Sequence, residues 1–265
     1  MYKVDYLRAR TLSEATALLA AHPEAKLLSG GMTLIPTLKQ RLAQPSHLID
    51  IGGVLELRGV EERDGALTIG AGTRHYEVAD SALVQKRLPA LAYLASRIGD
   101  PQVRNMGTIG GSIANNDPAA DYPAAVLALD AGIVTTQRTI AADEFFQGMF
   151  ATALEADEII TRFIFPLPKQ AAYEKFAHPA SGFAMTGAFV AVTGGGVRVA
   201  VTGAGPGVFR WSAAEAALSA KLDASALDAL ELDAADLNSD MHGSAEYRAN
   251  LAKVMTQRAV KKLAA

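Results

Sequence analysis

The chain has 265 residues, 50% of them hydrophobic, with Lys+Arg 25 against Asp+Glu 28 for a formal charge of -3. That length can bury the core of one large or two small domains without staples, and a near-neutral balance with no Lys/Arg block argues against nucleic acid or an anionic membrane as the main partner. Cysteine is absent, which removes disulfides, thiolate nucleophiles, zinc–thiolate sites and cysteine-ligated iron–sulfur clusters from this chain and suits a reducing compartment.

The start, Met1-Tyr2-Lys3-Val4-Asp5-Tyr6, carries an acid early and has no uninterrupted apolar core. No run approaches about eighteen apolar residues, so neither a signal peptide nor a membrane span is predicted, and a cytoplasmic protein is expected. Thr11-Leu12-Ser13-Glu14 is a capping box that opens a predicted helix to about Ala21. Residues 26–29 read as a short buried strand broken by Gly30-Gly31, after which Leu34, Ile35, Leu38 and Leu42 resume a helical period. Residues 48–51 are a further strand, and Asp64-Gly65 between Val60 and Leu67 signals a hairpin.

A Leu/Ala-rich helix is predicted over 88–98, stopped by Gly99 and Pro101. Residues 102–118 are too rich in Gly and Asn for a regular element and too apolar for a linker, so an ordered loop packed inside or against a ligand is expected. A helix over 123–129 and strands over 133–136 and 159–165 follow. Pro166-Leu167-Pro168-Lys169-Gln170 is the best domain boundary. Beyond it lie predicted strands at 173–176, 189–192 and 197–201, with Gly194-Gly195-Gly196 as a hairpin turn, then helices at 212–220, 223–240 and 247–263. The expectation is an α+β protein with domains 1–168 and 169–265.

Two double-glycine turns, Gly30-Gly31 and Gly110-Gly111, each end an apolar stretch and are each followed by a hydroxyl, Thr33 or Ser112. Glycine lets backbone approach a ligand and turn N–H groups toward an anion such as a pyrophosphate, although an isolated Gly-Gly is more often a plain turn. No G-x-G-x-x-G or G-x-x-x-x-G-K-[ST] is present. Gly110-Gly111-Ser112-Ile113-Ala114 is a relaxed nucleophile elbow, but the five histidines, His22, His47, His75, His178 and His242, single out no base for Ser112. His75-Tyr76-Glu77 suggests a metal pair only weakly; Asp117 reads as a cap and Lys175 as an edge-strand charge.

The stretches Lys26-Leu27-Leu28-Ser29-Gly30-Gly31-Met32-Thr33-Leu34-Ile35-Pro36 and Thr108-Ile109-Gly110-Gly111-Ser112-Ile113-Ala114-Asn115-Asn116-Asp117-Pro118-Ala119-Ala120-Asp121-Tyr122-Pro123, with Ser244-Ala245-Glu246-Tyr247-Arg248 near the end, give the chain a family likeness. It resembles the FAD-binding medium subunit of molybdenum hydroxylases, the carbon monoxide dehydrogenase and xanthine dehydrogenase group. The resemblance implies a vanillyl-alcohol-oxidase-type flavin fold, with FAD between subdomains of about 1–55 and 56–168, plus the C-terminal domain. It implies that both glycine loops, residues 27–33 and 108–112, line the FAD phosphates and ribityl chain through neutral N–H donors. Asn115 and Asp121 would hydrogen-bond the cofactor's sugars or adenine side, and Ile98, Ile160 and Lys175 would lie near adenine or isoalloxazine. Many relatives carry Gln or His then Ser where this chain has Met32-Thr33, so a side-chain bond near the flavin is lost or passes to Thr33.

The implied role is electron exit from a complex with a small iron–sulfur subunit and a large molybdopterin subunit, toward NAD, quinone or oxygen. No catalytic base and no metal are expected in this chain. The alternatives are a self-sufficient flavin oxidase and a non-catalytic assembly module in which the glycine loops are only turns.

Overall fold

The computed structural model describes residues 1–263; residues 264 and 265, included in the expected C-terminal domain, lie outside the described residues. The first unit is β1 (Asp5–Arg8), α1 (Leu12–Ala21), β2 (Lys26–Leu28), α2 (Leu34–Lys39) and β3 (His47–Asp50), with the strands in the parallel order β1-β3-β2. Half of the capping box is formed: Glu14 N–H donates to Thr11 Oγ1, but Glu14 Oε2 accepts from Arg10 N–H, one residue before the cap, and not from Thr11 N–H. Ala15 and Leu19 on α1 pack on Ile49, Val54 and Leu57. α2 ends at Lys39, short of the Leu42 that the periodicity suggested; Arg41 takes a positive φ there.

The second unit runs β4 (Val60–Arg63), β5 (Ala66–Gly70), α3 (His75–Asp80), α4 (Ala82–Arg87), α5 (Pro89–Ser96), α6 (Pro101–Met106), α7 (Ile109–Asn115), α8 (Tyr122–Ala128), β6 (Gly132–Thr135), β7 (Thr139–Ala141), α9 (Ala142–Phe145), β8 (Phe146–Gly148), β9 (Ala151–Thr152) and β10 (Ile160–Pro166). Its sheet is antiparallel, β4-β5-β10-β6-β7, and its helices cover the face carrying Leu67, Ile69, Phe163 and Phe165. Along β10 burial alternates from Thr161 to Pro166, whereas β5 is buried on both faces from Leu67 to Gly70.

The third unit is β11 (Gln170–Ala177), β12 (Ala184–Thr193), β13 (Gly196–Thr202), β14 (Phe209–Arg210), α10 (Ser212–Ala220) and α11 (Ala245–Leu263), with the sheet in sequence order. α10 and α11 cover one face and α8 of the second unit meets the other. β12 is therefore sandwiched on both faces, which is why it reads as a near-continuous apolar run instead of alternating.

Two expectations fail for local reasons. Residues 102–118 are not a loop but two short helices. Asp100 Oδ1 accepts from Val103 N–H and Pro101 opens α6, Thr108 Oγ1 accepts from Gly111 N–H to open α7, and Asn116 closes it at φ 44. Caps supply what helix propensity lacks. Residues 223–240 form no long helix, only a single 3-10 turn at Ala224–Leu227. Asp223 and Asp233 each accept from the N–H two residues on, giving the backbone a turn in place of a helix.

Candidate functional site

The two glycine segments, 79 positions apart at Ser29 and Thr108, meet in space, and their hydroxyls lie 3.0 Å apart. Gly30 makes this approach feasible: a Cβ there would run into the Met106 carbonyl oxygen and lie 2.7 Å from Gly107 Cα. Gly31 sits at φ +71, a conformation that side-chain-bearing residues rarely adopt. Among the described residues, the N–H groups of Gly30, Gly31, Met32 and Thr33 find no acceptor within the chain. Met32 and Thr33 are exposed, Leu27, Leu28 and Ser29 half-buried. The first segment therefore presents a short run of free backbone donors, the arrangement that suits an anionic diphosphate.

The second segment is built differently, with four of its five N–H groups engaged inside the chain. Ile109 N–H donates to Thr73 O, Gly110 N–H to Ala71 O, Gly111 N–H to Thr108 Oγ1 and Ser112 N–H to Thr108 O. Gly110 is a packing glycine, since its Cβ would lie 2.6 Å from Ala71 Cβ. Gly111 is exposed and only Thr108 Oγ1, at 3.0 Å, stands near its Cβ position. This segment supplies a bare wall, the Ser112 side chain and one N–H, that of Thr108, which finds no acceptor among the described residues.

Asp121 and Lys175 come together at the junction of the second and third units, beside Arg97, the residue before Ile98. Lys175 Nζ lies 2.9 and 3.1 Å from the two Asp121 carboxylate oxygens and donates to Arg97 O and Gly182 O, each at 2.8 Å. Both side chains are 3% exposed, so Lys175 is no solvated edge charge even though β11 is an edge strand. Tyr173 Oη donates to Asp121 Oδ1 at 2.5 Å. Burial pushes the Asp121 carboxyl up, opposed by the Lys175 charge and the Tyr173 and Lys175 hydrogen bonds. The Tyr173 hydroxyl is pushed well up by burial and by the Asp121 carboxylate. Tyr173 was missed as a site residue; the signal was its i, i+2 spacing to Lys175, which puts both on one strand face.

The remaining residues divide. Ile98 is half-buried, its carbonyl held by Arg104 Nη1 at 3.0 Å. Asn115 ends α7 half-buried, while its neighbour Asn116 is buried and donates to Gly148 O and Ala151 O. Ile160 is buried with its side chain in the main core, next to Thr161, whose carbonyl accepts from Ala71 N–H beneath Gly110. Asp117 does not cap α8; its Oδ1 accepts from Ala119 N–H in the preceding turn.

Glu77 accepts from Arg74 N–H and so caps α3, and His75 is buried, with its imidazole pushed down to about 4, first by burial and then by the Arg104 charge. Among the described residues no three metal-ligating side chains of His, Asp or Glu come together. A cleft of about 1130 Å³ between α1 and the five-stranded sheet, lined by Thr16, Arg58, Thr68, Thr161 and Arg162 among others, contains none of the predicted site residues.

Residues 2–168 match the family described as FAD binding domain in molybdopterin dehydrogenase, and residues 169–263 match the CO dehydrogenase flavoprotein C-terminal domain. The chain is 37% identical over 275 residues to the carbon monoxide dehydrogenase medium chain of Hydrogenophaga pseudoflava, covering 97% of this chain and 96% of that one. It is 36% identical over 272 residues to the nicotine 6-hydroxylase medium subunit of Paenarthrobacter nicotinovorans, again covering 97% and 96%. A chain in the solved structure of the Hydrogenophaga pseudoflava carbon monoxide dehydrogenase that lacks the Mo-pyranopterin moiety of its molybdenum cofactor superposes with a TM-score of 0.90 at 39% identity, covering 99% of this chain and 97% of that one. The free donors of residues 30–33 and the bare wall at Gly111 fit FAD. The chain belongs to the FAD-binding medium-subunit family of molybdenum hydroxylases such as carbon monoxide dehydrogenase: it is an oxidoreductase flavoprotein subunit whose cofactor is FAD.

Proposed function

We propose that this chain is the electron-exit module of a molybdenum hydroxylase complex. It would receive electrons from a small iron–sulfur subunit, while a large molybdopterin subunit oxidises the organic or one-carbon substrate and an external acceptor, NAD, quinone or oxygen, takes the electrons away. The observation that carries the reading is that relatives named for carbon monoxide and for nicotine are similar to this chain over its whole length and to nearly the same degree. A chain that touched the substrate would diverge between such unlike molecules; a shared flavin module need not. The branch proposed is the carbon monoxide dehydrogenase-like one, supported by the identity and superposition with that medium chain.

FAD, when bound, can take electrons singly from iron–sulfur clusters and release two together. The chain's own residues bind and orient it. Backbone donors of residues 30–33 offset the diphosphate charge without a lysine or arginine, the Ser29 and Thr108 hydroxyls lock the two segments together, and the Asp121–Lys175 pair lies where the C-terminal unit closes on the second unit.

The test is to co-purify the tagged chain with its partners and mix substrate with the complex before and after stripping FAD. Substrate should still reduce the iron–sulfur clusters in the stripped complex, but turnover with the acceptor should vanish and return on adding FAD. Bleaching of flavin on the isolated chain by the organic substrate alone would overturn the reading in favour of a self-sufficient oxidase.

A further inference from the structure

The crossing of the two glycine segments has a third layer. Gly30 lies against Gly107, whose Cα would be 2.7 Å from a Gly30 Cβ, and Gly107 lies in turn against His75: a Cβ on Gly107 would stand 2.5 Å from Nε2 and 2.9 Å from Cδ2 of the imidazole. Two bare residues are therefore stacked in series between this ring and the free donors of residues 30–33. Gly107 has φ -61 and ψ 144, a conformation open to any side chain. What requires glycine there is the close approach of the ring, and not a turn. The only other atom near that position is the Val103 carbonyl oxygen, at 3.0 Å. The main chain holds the ring in place: His75 N–H donates to Gly107 O at 2.9 Å, Ile109 N–H to Thr73 O at 3.1 Å, and Arg74 bridges to Thr108. His75 is 4% exposed, and the fully buried Tyr122 of α8 packs against it with ring centroids 5.4 Å apart. Its Nδ1 is buried without a hydrogen-bond partner, so the chain makes no use of that nitrogen's polarity.

We infer that His75 is a positioning residue for the cofactor: through Gly107 its ring sets how closely the wall segment and the donor segment cross, and so how well the two together fit FAD. The inference rests on the flavin reading of those segments and adds a side chain that acts on the cofactor only through Gly107. Burial and then the Arg104 charge push the imidazole down to about 4, so at neutral pH it acts by its shape and not by charge. A smaller side chain at position 75 would leave residues 106–107 unsupported beneath Gly30, and a Cβ on Gly107 would drive them off the ring. Either change alters the crossing at which the Ser29 and Thr108 hydroxyls meet.

The measurement is an FAD equilibrium titration, at neutral pH, of the co-purified complex stripped of flavin, with the thermal midpoint of each chain recorded alongside. Gly107→Ala should bind FAD about tenfold more weakly, because the new methyl and the imidazole cannot share one place. His75→Ala should bind several-fold more weakly than wild type, whereas His75→Phe keeps a flat ring under Gly107 and should bind close to wild type. In Gly107→Ala/His75→Ala the methyl occupies space that the ring has left, so most of the Gly107→Ala loss should be recovered, to within about threefold of His75→Ala alone; side chains in contact couple in this way. Wild-type affinity in Gly107→Ala, losses that simply multiply in the double variant, or a His75→Ala chain that loses stability without losing affinity would overturn the inference. Where Gly107→Ala does not fold, a folded and FAD-binding double variant gives the same support, and a double variant that is still unfolded overturns it. Failure of the wild-type complex to take up FAD would instead sink the flavin reading beneath it.

Discussion

Gly30 carries the approach of the two segments more directly than any other residue. Its missing Cβ is what allows residues 106–107 to pass, and the atoms in the way are backbone, which cannot rotate aside. Gly30→Ala should cost about 1–3 kcal/mol, the usual range for overpacking, and should weaken FAD binding by parting the segments. Gly194→Ala is the control: nothing stands within 4 Å of its Cβ position, so its thermal midpoint should match wild type. A Gly30→Ala protein as stable as that control would contradict the packing argument. His75 offers a second test. Its imidazole is pushed down to about 4 from 6.5 by burial, then by Arg104. Between those values the unfolded chain takes up a proton that the folded one refuses, so stability present above the unfolded pKa is lost as pH falls from 6.5 toward 4, by on the order of 3 kcal/mol in all. His75→Phe should lose correspondingly less over that window in urea denaturation measured at both ends.

At the scale of elements, what was legible followed hydrophobic period and punctuation. The Thr11 cap of α1, the Asp64-Gly65 and Gly194-Gly195-Gly196 hairpins and the strand ending at Pro166 are all where the sequence puts them. The α6–α7 pair was hidden because α6 is only six residues long and α7 carries Gly-Gly-Ser, and both are held by their caps, Asp100, Thr108 and Asn116. Thr108 with Gly111 three residues on was the available signal. Thr108→Ala removes both the α7 cap and the Ser29 contact, and should cost about 1 kcal/mol or somewhat more. Because the cap orients the Gly111 wall, FAD affinity should fall with it. A stability loss in calorimetry with unaltered FAD affinity would separate the helix from the site. The glycine segments were legible as a ligand-approach motif, but not their division of labour, since which N–H groups remain free depends on Ala71 and Thr73 across the fold. The bland reading of Lys175 failed for the same reason: its partners lie at positions 97, 121 and 182.

At the scale of the molecule, the third unit is not an appendage. Tyr173, Phe189, Ala191 and Ala200 belong to the same core as Leu67 and Phe163 of the second unit, and the single Thr202 hydroxyl proton is within reach of the carbonyls of Ala120, at 2.7 Å, and Pro118, at 3.0 Å, beside Asp121. Among the described residues no helix is long and apolar enough to cross a membrane. The electron-exit role asks that one rigid body hold the cofactor between the segment of free donors, the bare wall and the buried ion pair. Titrating FAD, with FMN as control, into the purified chain and into its co-purified complex tests this most directly. Saturable one-to-one binding of FAD, with FMN markedly weaker because it lacks the diphosphate, is the expected result. FMN binding as tightly as FAD, or no flavin bound even in the co-purified complex, would contradict the account.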